Sequence, residues 1–243
     1  MQKWTILLIG LFGFGVAQAA PAAKADTDGY YLAVGAGATA SKLGENQSVA
    51  LAPSASDQFV TNGQTSWGGA VNLAGGKYFA LNKRIVVGLG LSAYQTFLNQ
   101  ANGNVHELDL PDPSSNYQYN VNTTALFAET SIAIRTKWVE PYVKFGMGWA
   151  GNHLSDFSQT ALPGVASPTF NYGDVMRNNF SYEMGVGLMV NVTAHLAIGV
   201  EYDYLNFGNV AFQTGQIANA DVGALKVGAL TEQLILARMV YRV

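Results

Sequence analysis

His153, Leu154 and Ser155 place an imidazole two residues from a hydroxyl. A histidine beside a serine can take its proton and make the oxygen a nucleophile for ester cleavage. The same region contains "PYVKFGMGWAGN", Pro141 to Asn152, in which Val143, Phe145, Met147 and Trp149 alternate with Lys144, Gly146, Gly148 and Ala150. Strict two-residue alternation reads as a strand with one apolar face. Extending that parity puts His153 and Ser155 on the face of Trp149, with no oriented acid evident beside them. "GMGWAG" within this stretch is a literal G-x-G-x-x-G. A dinucleotide site needs a helix after the glycines; these lie inside a strand, opposite large residues. His106, His153 and His195 are far apart in the chain, so neither a metal site nor a cofactor is implied.

The second chemical feature is charge on the non-apolar face. Parity with Lys144 puts Glu129, Arg135, Glu183, Glu201, Asp203, Arg238 and Arg242 on it as well. Folding about a turn near 137 sets Lys144 opposite Ser131 and diagonal to Glu129. Folding about a turn near 193 sets Glu183 opposite Asp203. Arg238 and Glu201 are expected at one level of neighbouring strands. Four acids and four bases would then neutralise one another, as a buried interior demands. An acid/base catalytic site is the alternative reading of such a cluster.

The elements that must position these groups follow from the whole chain. Only 12% of its 243 residues are charged, roughly half the share of an average soluble domain. The net charge of -3 gives no reason to expect a nucleic-acid partner. "MQKWTILLIGLFGFGVAQAA" has Lys3, an apolar run and Ala17-Gln18-Ala19, the pattern of a secretory signal peptide cleaved after residue 19. Residues 20–28 read as a flexible lead-in and 29–243 as one domain. The exported chain has no cysteine and no later apolar run long enough for a membrane helix. A closed β-barrel is the remaining membrane solution.

Alternation recurs eight times, at about 29–39, 65–80, 84–98, 119–136, 141–152, 179–191, 195–207 and 231–243. Each run can cross an outer membrane when tilted. Short links near 81–84, 136–138 and 192–194 alternate with long polar ones at 40–64, 99–118, 152–178 and 208–230, which match periplasmic turns and extracellular loops. Loops this long are usually functional or mobile. Trp67, Tyr94, Tyr119, Trp149 and Tyr204 read as an aromatic girdle towards the long loops. Tyr78, Trp138, Tyr142 and Tyr241 read as the girdle towards the short turns. The expected fold is therefore all-β: an eight-stranded antiparallel up-and-down transmembrane barrel, its narrow lumen filled by side chains.

"GYYLAVGAGAT", "EPYVKFGMGWA", "YEMGVGLMVNVTAHLAIGVEYDYLNFG" and "LILARMVYRV" together resemble the small Gram-negative outer-membrane β-barrels of the OmpA-transmembrane and opacity-protein type. The resemblance spans nearly all of the exported chain. One departure is Val243, where such barrels usually end in Phe or Trp. It implies an outer-membrane location, contact with outer-membrane lipids and lipopolysaccharide, and dependence on the barrel-insertion machinery. Such a fold leaves function to its loops, and the first reading is a non-enzymatic surface protein, acting in the envelope or contacting host cells or extracellular ligands through aromatic and polar loop tips such as Tyr117, Phe157, Phe170, Tyr172 and Phe212. Two alternatives stay open. His153 and Ser155 are similar to the His-x-Ser of the lipid A deacylases, and a narrow pore or transporter of small apolar molecules is the other.

Overall fold

The computed structural model describes residues 28–52, 55–63, 65–136, 138–165, 167–217 and 220–243. The expected signal peptide and nearly all of the lead-in lie outside them. In chain order the strands are β1 (Gly29–Lys42), β2 (Gln47–Ala52), β3 (Ala55–Thr61), β4 (Thr65–Ala80), β5 (Ile85–His106), β6 (Ser115–Ile134), β7 (Val139–Ala161), β8 (Phe170–Asn171), β9 (Val175–Asn191), β10 (Leu196–Ile217) and β11 (Ala220–Arg242). One short 3₁₀ turn, Glu107–Asp109, stands between β5 and β6.

Eight of these strands make the barrel. The order β1-β4-β5-β6-β7-β9-β10-β11 is antiparallel throughout, and β11 returns to β1 from Tyr31↔Arg242 to Lys42↔Thr231. Closure leaves no edge, so each backbone amide in the ring finds a partner without water.

The strands run far beyond a bilayer crossing. β7 and β11 have 23 residues each, about twice what a tilted crossing needs. The extra length forms a β-structured extension at the end away from the short turns. β1 and β4 stop early, and the hairpin β2–β3 fills their place. β3 pairs β5 from Gln58↔His106 to Thr61↔Gly103, and Gln47 exchanges two hydrogen bonds with the backbone of Lys226 on β11. β8 likewise continues the wall beside β10.

Much of what reads as long loops is therefore strand. Tyr117, Phe170, Tyr172 and Phe212, expected at loop tips, are buried inside the extension, with Phe157 half-buried against them. Alternation continues there, but its phase inverts. On β6, Tyr117, Tyr119 and Val121 point inward, whereas Leu126, Ile132 and Ile134 point out to lipid. Water bathes the extension, so its apolar residues turn inward; lipid surrounds the barrel, so there they turn outward.

The lipid face carries Trp67 and Trp149, about 70% exposed. Tyr204, Trp138 and Tyr241 share that face. Four residues expected in the girdles do not. Tyr94 and Tyr119 are buried inside, and Tyr78 and Tyr142 point into the lumen against Tyr31 and Glu201. Each has the parity of the charged face, and each hydroxyl or ring finds a polar or aromatic partner there. Phe97, Phe180 and Tyr202 at the outer level, and Tyr30 and Phe79 at the inner level, occupy the lipid face instead.

Phe59 on β3 is fully buried and meets the rings of Tyr117, Phe170 and Tyr172 at 5.3, 5.1 and 6.4 Å. Phe59→Ala should cost the extension about 3–5 kcal/mol without opening the ring. The expected result is faster proteolysis within residues 43–64, with unchanged heat-modifiable migration of the barrel on gels.

Candidate functional site

The barrel lumen is where titratable groups converge. Lys144 on β7 is fully buried, and its Nζ lies 2.8 Å from Glu201 Oε1, 3.0 Å from Asp203 Oδ1, 3.3 Å from Glu183 Oε2 and 4.0 Å from Glu129 Oε2. It also donates to the Tyr94 hydroxyl. Arg238 and the Tyr142 hydroxyl both engage Glu201 Oε2. Tyr94 donates to Asp203 Oδ2 at 3.1 Å, and Ser92 to Glu183 Oε1 at 2.9 Å. Five strands contribute a charged group and β5 a tyrosine and a serine, so ring closure is what assembles the cluster. Small residues make the room. A Cβ on Gly185 would run into Asp203 Oδ1 and lie 2.6 Å from Lys144 Cε.

The registers mostly follow from hairpin counting. Lys144 is paired with Ser131. Glu183, however, is paired with Leu205, and Asp203 with Gly185. The β9–β10 turn centres one residue later than 193, which slides the two acids past each other. The stagger separates the carboxylates along the strands and lets the Lys144 ammonium reach both.

A second cluster sits towards the short turns. Glu140 meets Arg242 at 3.0 Å and Arg135 at 3.6 Å, and both guanidinium groups lie within 6 Å of the Tyr78 ring centre. Further out, Glu232 is fully buried and accepts from Thr39 (2.8 Å), Thr96 (3.2 Å) and Asn99 (3.1 Å). Glu140 and Glu232 escaped the sequence reading, although each shares the parity of a recognised partner, Lys144 or Arg238. With them the interior holds six carboxylates and four cations, so the expected neutrality becomes a formal excess of two negative charges. The arrangement is uneven. Lys144 and Arg238 face four acids, whereas Arg135 and Arg242 share Glu140.

Between the two clusters lies a cavity of about 20 Å³ lined by Tyr31, Glu129, Glu140, Tyr142 and Arg238, room for about one water molecule. Outward of the Lys144 cluster, Phe127 and Leu234 are fully buried. The lumen is thus occupied at successive levels, with the aromatic core of the extension above.

His153 and Ser155 share a face of β7 by register, but no hydrogen bond joins them. His153 is exposed on the outer face, but a bulge follows, with Asp156 at a φ of 55° and a register shift opposite Gln118 and Asn120. Ser155 precedes the bulge, still paired with Asn120 and so on the His153 face of the strand, and it is buried there. Its hydroxyl donates to Asp156 Oδ2 at 2.9 Å, and Asn120 donates to the same oxygen at 3.0 Å. These bonds hold the Asp156 carboxyl below its usual range. Parity counting holds through Ser155 and is interrupted only beyond it, where the bulge consumes an extra residue. Among the described residues no group of His, Asp and Glu is arranged to hold a metal.

Residues 7–229 match the family model described as outer membrane protein beta-barrel domain. The chain belongs to that family. This β-barrel protein resides in the bacterial outer membrane, so the apolar belt around Trp67 and Trp149 is its lipid face. Its fold is similar to solved structures at low identity. Neisserial surface protein A matches at 10% identity and a TM-score of 0.44, over 87% of this chain and 96% of that one. Ail of Yersinia pestis matches at 13% and 0.37, over 88% and 99%. OprG of Pseudomonas aeruginosa matches at 11% and 0.43, over 88% and 96%. A comparison with curated proteins returned no match.

Lys144→Met removes the ammonium that four carboxylates share. Breaking a buried ion pair from one side costs about 3–5 kcal/mol. The urea midpoint of the refolded barrel, read by the folded band on cold gels, should fall accordingly. Adding Glu201→Gln should recover part of the loss, because one of the stranded charges is then gone.

Proposed function

We propose that this outer-membrane barrel is a non-enzymatic, non-conducting surface protein whose ordered extension makes contact with an extracellular surface. The filled lumen supports the non-conducting part: charged clusters, a cavity the size of about one water molecule and an apolar layer follow one another along the axis. The Ser155 hydroxyl supports the non-enzymatic part, since it is buried and donates to Asp156 rather than to His153.

One observation carries the contact reading. Leu108, in the turn at the tip of the extension, has a φ of 50° and is 62% exposed. A branched side chain in the left-handed region costs roughly 1 kcal/mol, and here it gains no burial in return. The conformation is imposed from below. The buried Asp57 on β3 accepts the Leu108 amide at 3.0 Å. Leu110 and Val165, the latter on the adjoining 162–165 segment, are exposed as well, and Leu162 ties that segment to Ser114. An apolar tip held out on a rigid stem suits contact with another surface.

Planar-bilayer recordings of the refolded protein should show no steady conductance; a stable open level would refute the filled-lumen reading. Bacteria displaying Leu108→Ser with Leu110→Ser and Val165→Ser should lose most adherence to cultured epithelial cells, with normal barrel insertion. Unchanged adherence would refute the contact reading.

A further inference from the structure

The wall of the barrel changes hands on one side. β4 pairs β5 from Ala80↔Val86 only as far as Gly69↔Phe97. The ladder resumes at Thr61↔Gly103, with β3 as the partner. Between these points β5 bulges, with Leu98 at a φ of 68° and a register shift before Asn99. The seam is bridged by the Gln100 amide donating to Ser66 Oγ at 2.8 Å, the Asn62 amide to Asn102 O at 3.2 Å, and the two asparagine side chains at 2.9 Å. A cavity of about 70 Å³ opens in this seam, with Thr61, Thr65, Ser66, Gln100 and Asn102 providing its polar lining.

Its position and chemistry restrict what it can hold. On the chain, Trp67 directly follows Ser66, and Phe97 and Leu98 closely precede Gln100. All three lie on the outer surface, Trp67 and Leu98 among the most exposed apolar side chains of the protein. They mark the outer boundary of the lipid belt, so the cavity sits at the level of the outer-leaflet headgroups. Three hydroxyls and two carboxamides line it, with no ionised group. A phosphate would call for an arginine or lysine. Neutral groups that donate and accept at once suit sugar hydroxyls, and an exposed indole beside them offers an apolar platform for a sugar ring.

We propose that this seam is a saccharide-binding site at the outer face of the membrane. It takes the hydroxyl-rich face of a sugar, either in the headgroup of an outer-leaflet glycolipid or in a free glycan. The site is separate from the apolar tip at Leu108 and does not rest on the contact reading.

The test uses the folded protein in detergent micelles with three probes: rough lipopolysaccharide carrying core sugars, lipid A lacking them, and the free core oligosaccharide. Wild type should bind the lipopolysaccharide about tenfold more tightly than lipid A, a gap the size of one or two hydrogen bonds. Thr65→Ala with Gln100→Ala should erase that preference while leaving lipid A binding unchanged. Competition by the free oligosaccharide would show that the site accepts free sugar; its failure, with the preference intact, would show that the sugar must arrive on a lipid anchor. Equal affinity of wild type for lipopolysaccharide and lipid A, or a preference that survives the double substitution, would overturn the proposal. Heat-modifiable migration reports folding of each variant. Thr65→Val, which keeps the side-chain shape and deletes only the hydroxyl, gives the same comparison should the double variant not fold.

Discussion

A strand in hydrocarbon has no water to satisfy its amides, and this is the constraint from which the rest follows. It is met by the return of β11 to β1 along twelve paired positions. Closure with eight strands sets a narrow lumen, and a narrow lumen must be packed. Much of the packing is polar because most large apolar side chains of the same strands are committed to lipid. Lys144 can then only exist inside as part of a network, since an isolated ammonium there would be prohibitively costly. The network needs side chains from β6, β7, β9, β10 and β11 at one level, so it pins the register of five strands at once.

The charge census is not balanced level by level. The Lys144 level has too few cations for its acids, while the Glu140 level has two guanidinium groups for one carboxylate. Two features moderate this. Tyr94 and Ser92 donate to Asp203 and Glu183, and Tyr142 adds a donor to the doubly paired Glu201; charge-assisted hydrogen bonds of this kind are among the stronger ones. The two levels also adjoin the same small cavity, with Arg238 and Glu140 on its walls, so their fields overlap in a medium that screens poorly. Glu232 stands apart. Three neutral donors hold it with no cation among them, at the level where the charged interior gives way to the aromatic one.

The barrel itself was legible because its signal is redundant. Eight alternating runs and three short turns specify it, and one error of register would expose a whole face. The interior charges were legible by parity wherever the strand was regular. Counting failed at the one-residue shift of the β9–β10 turn, which slides Glu183 past Asp203. The girdle was half legible, because an aromatic near a strand end satisfies the composition rule on either face. Only the parity of Tyr94, Tyr119, Tyr78 and Tyr142, shared with the charged face, tells them from Trp67 and Trp149. The extension was hidden for a different reason. Its strands carry apolar residues on the opposite parity from the membrane part, so a reader following one phase sees the pattern stop and assigns a loop.

That inversion is a solution to an orientation problem. A strand apolar on both faces would have no preferred side towards lipid and would be prone to pair wrongly before insertion. A polar inward face in the membrane section gives each strand a definite outside. Carried unchanged into water, the same pattern would expose a band of leucine and isoleucine and bury charge to no benefit. The phase therefore has to switch where the chain leaves the bilayer. On β11 the change is gradual: Leu230, Leu234 and Leu236 point in around Glu232, while Ile235, Met239 and Tyr241 point out. Thr39, Thr96 and Asn99 bring β1 and β5 to the same level through Glu232. A buried carboxylate held only by neutral donors is costly in either interior taken alone. At their junction it ties together strands whose packing rules change there, and so keeps the apolar stem of the extension in register with the charged barrel beneath it.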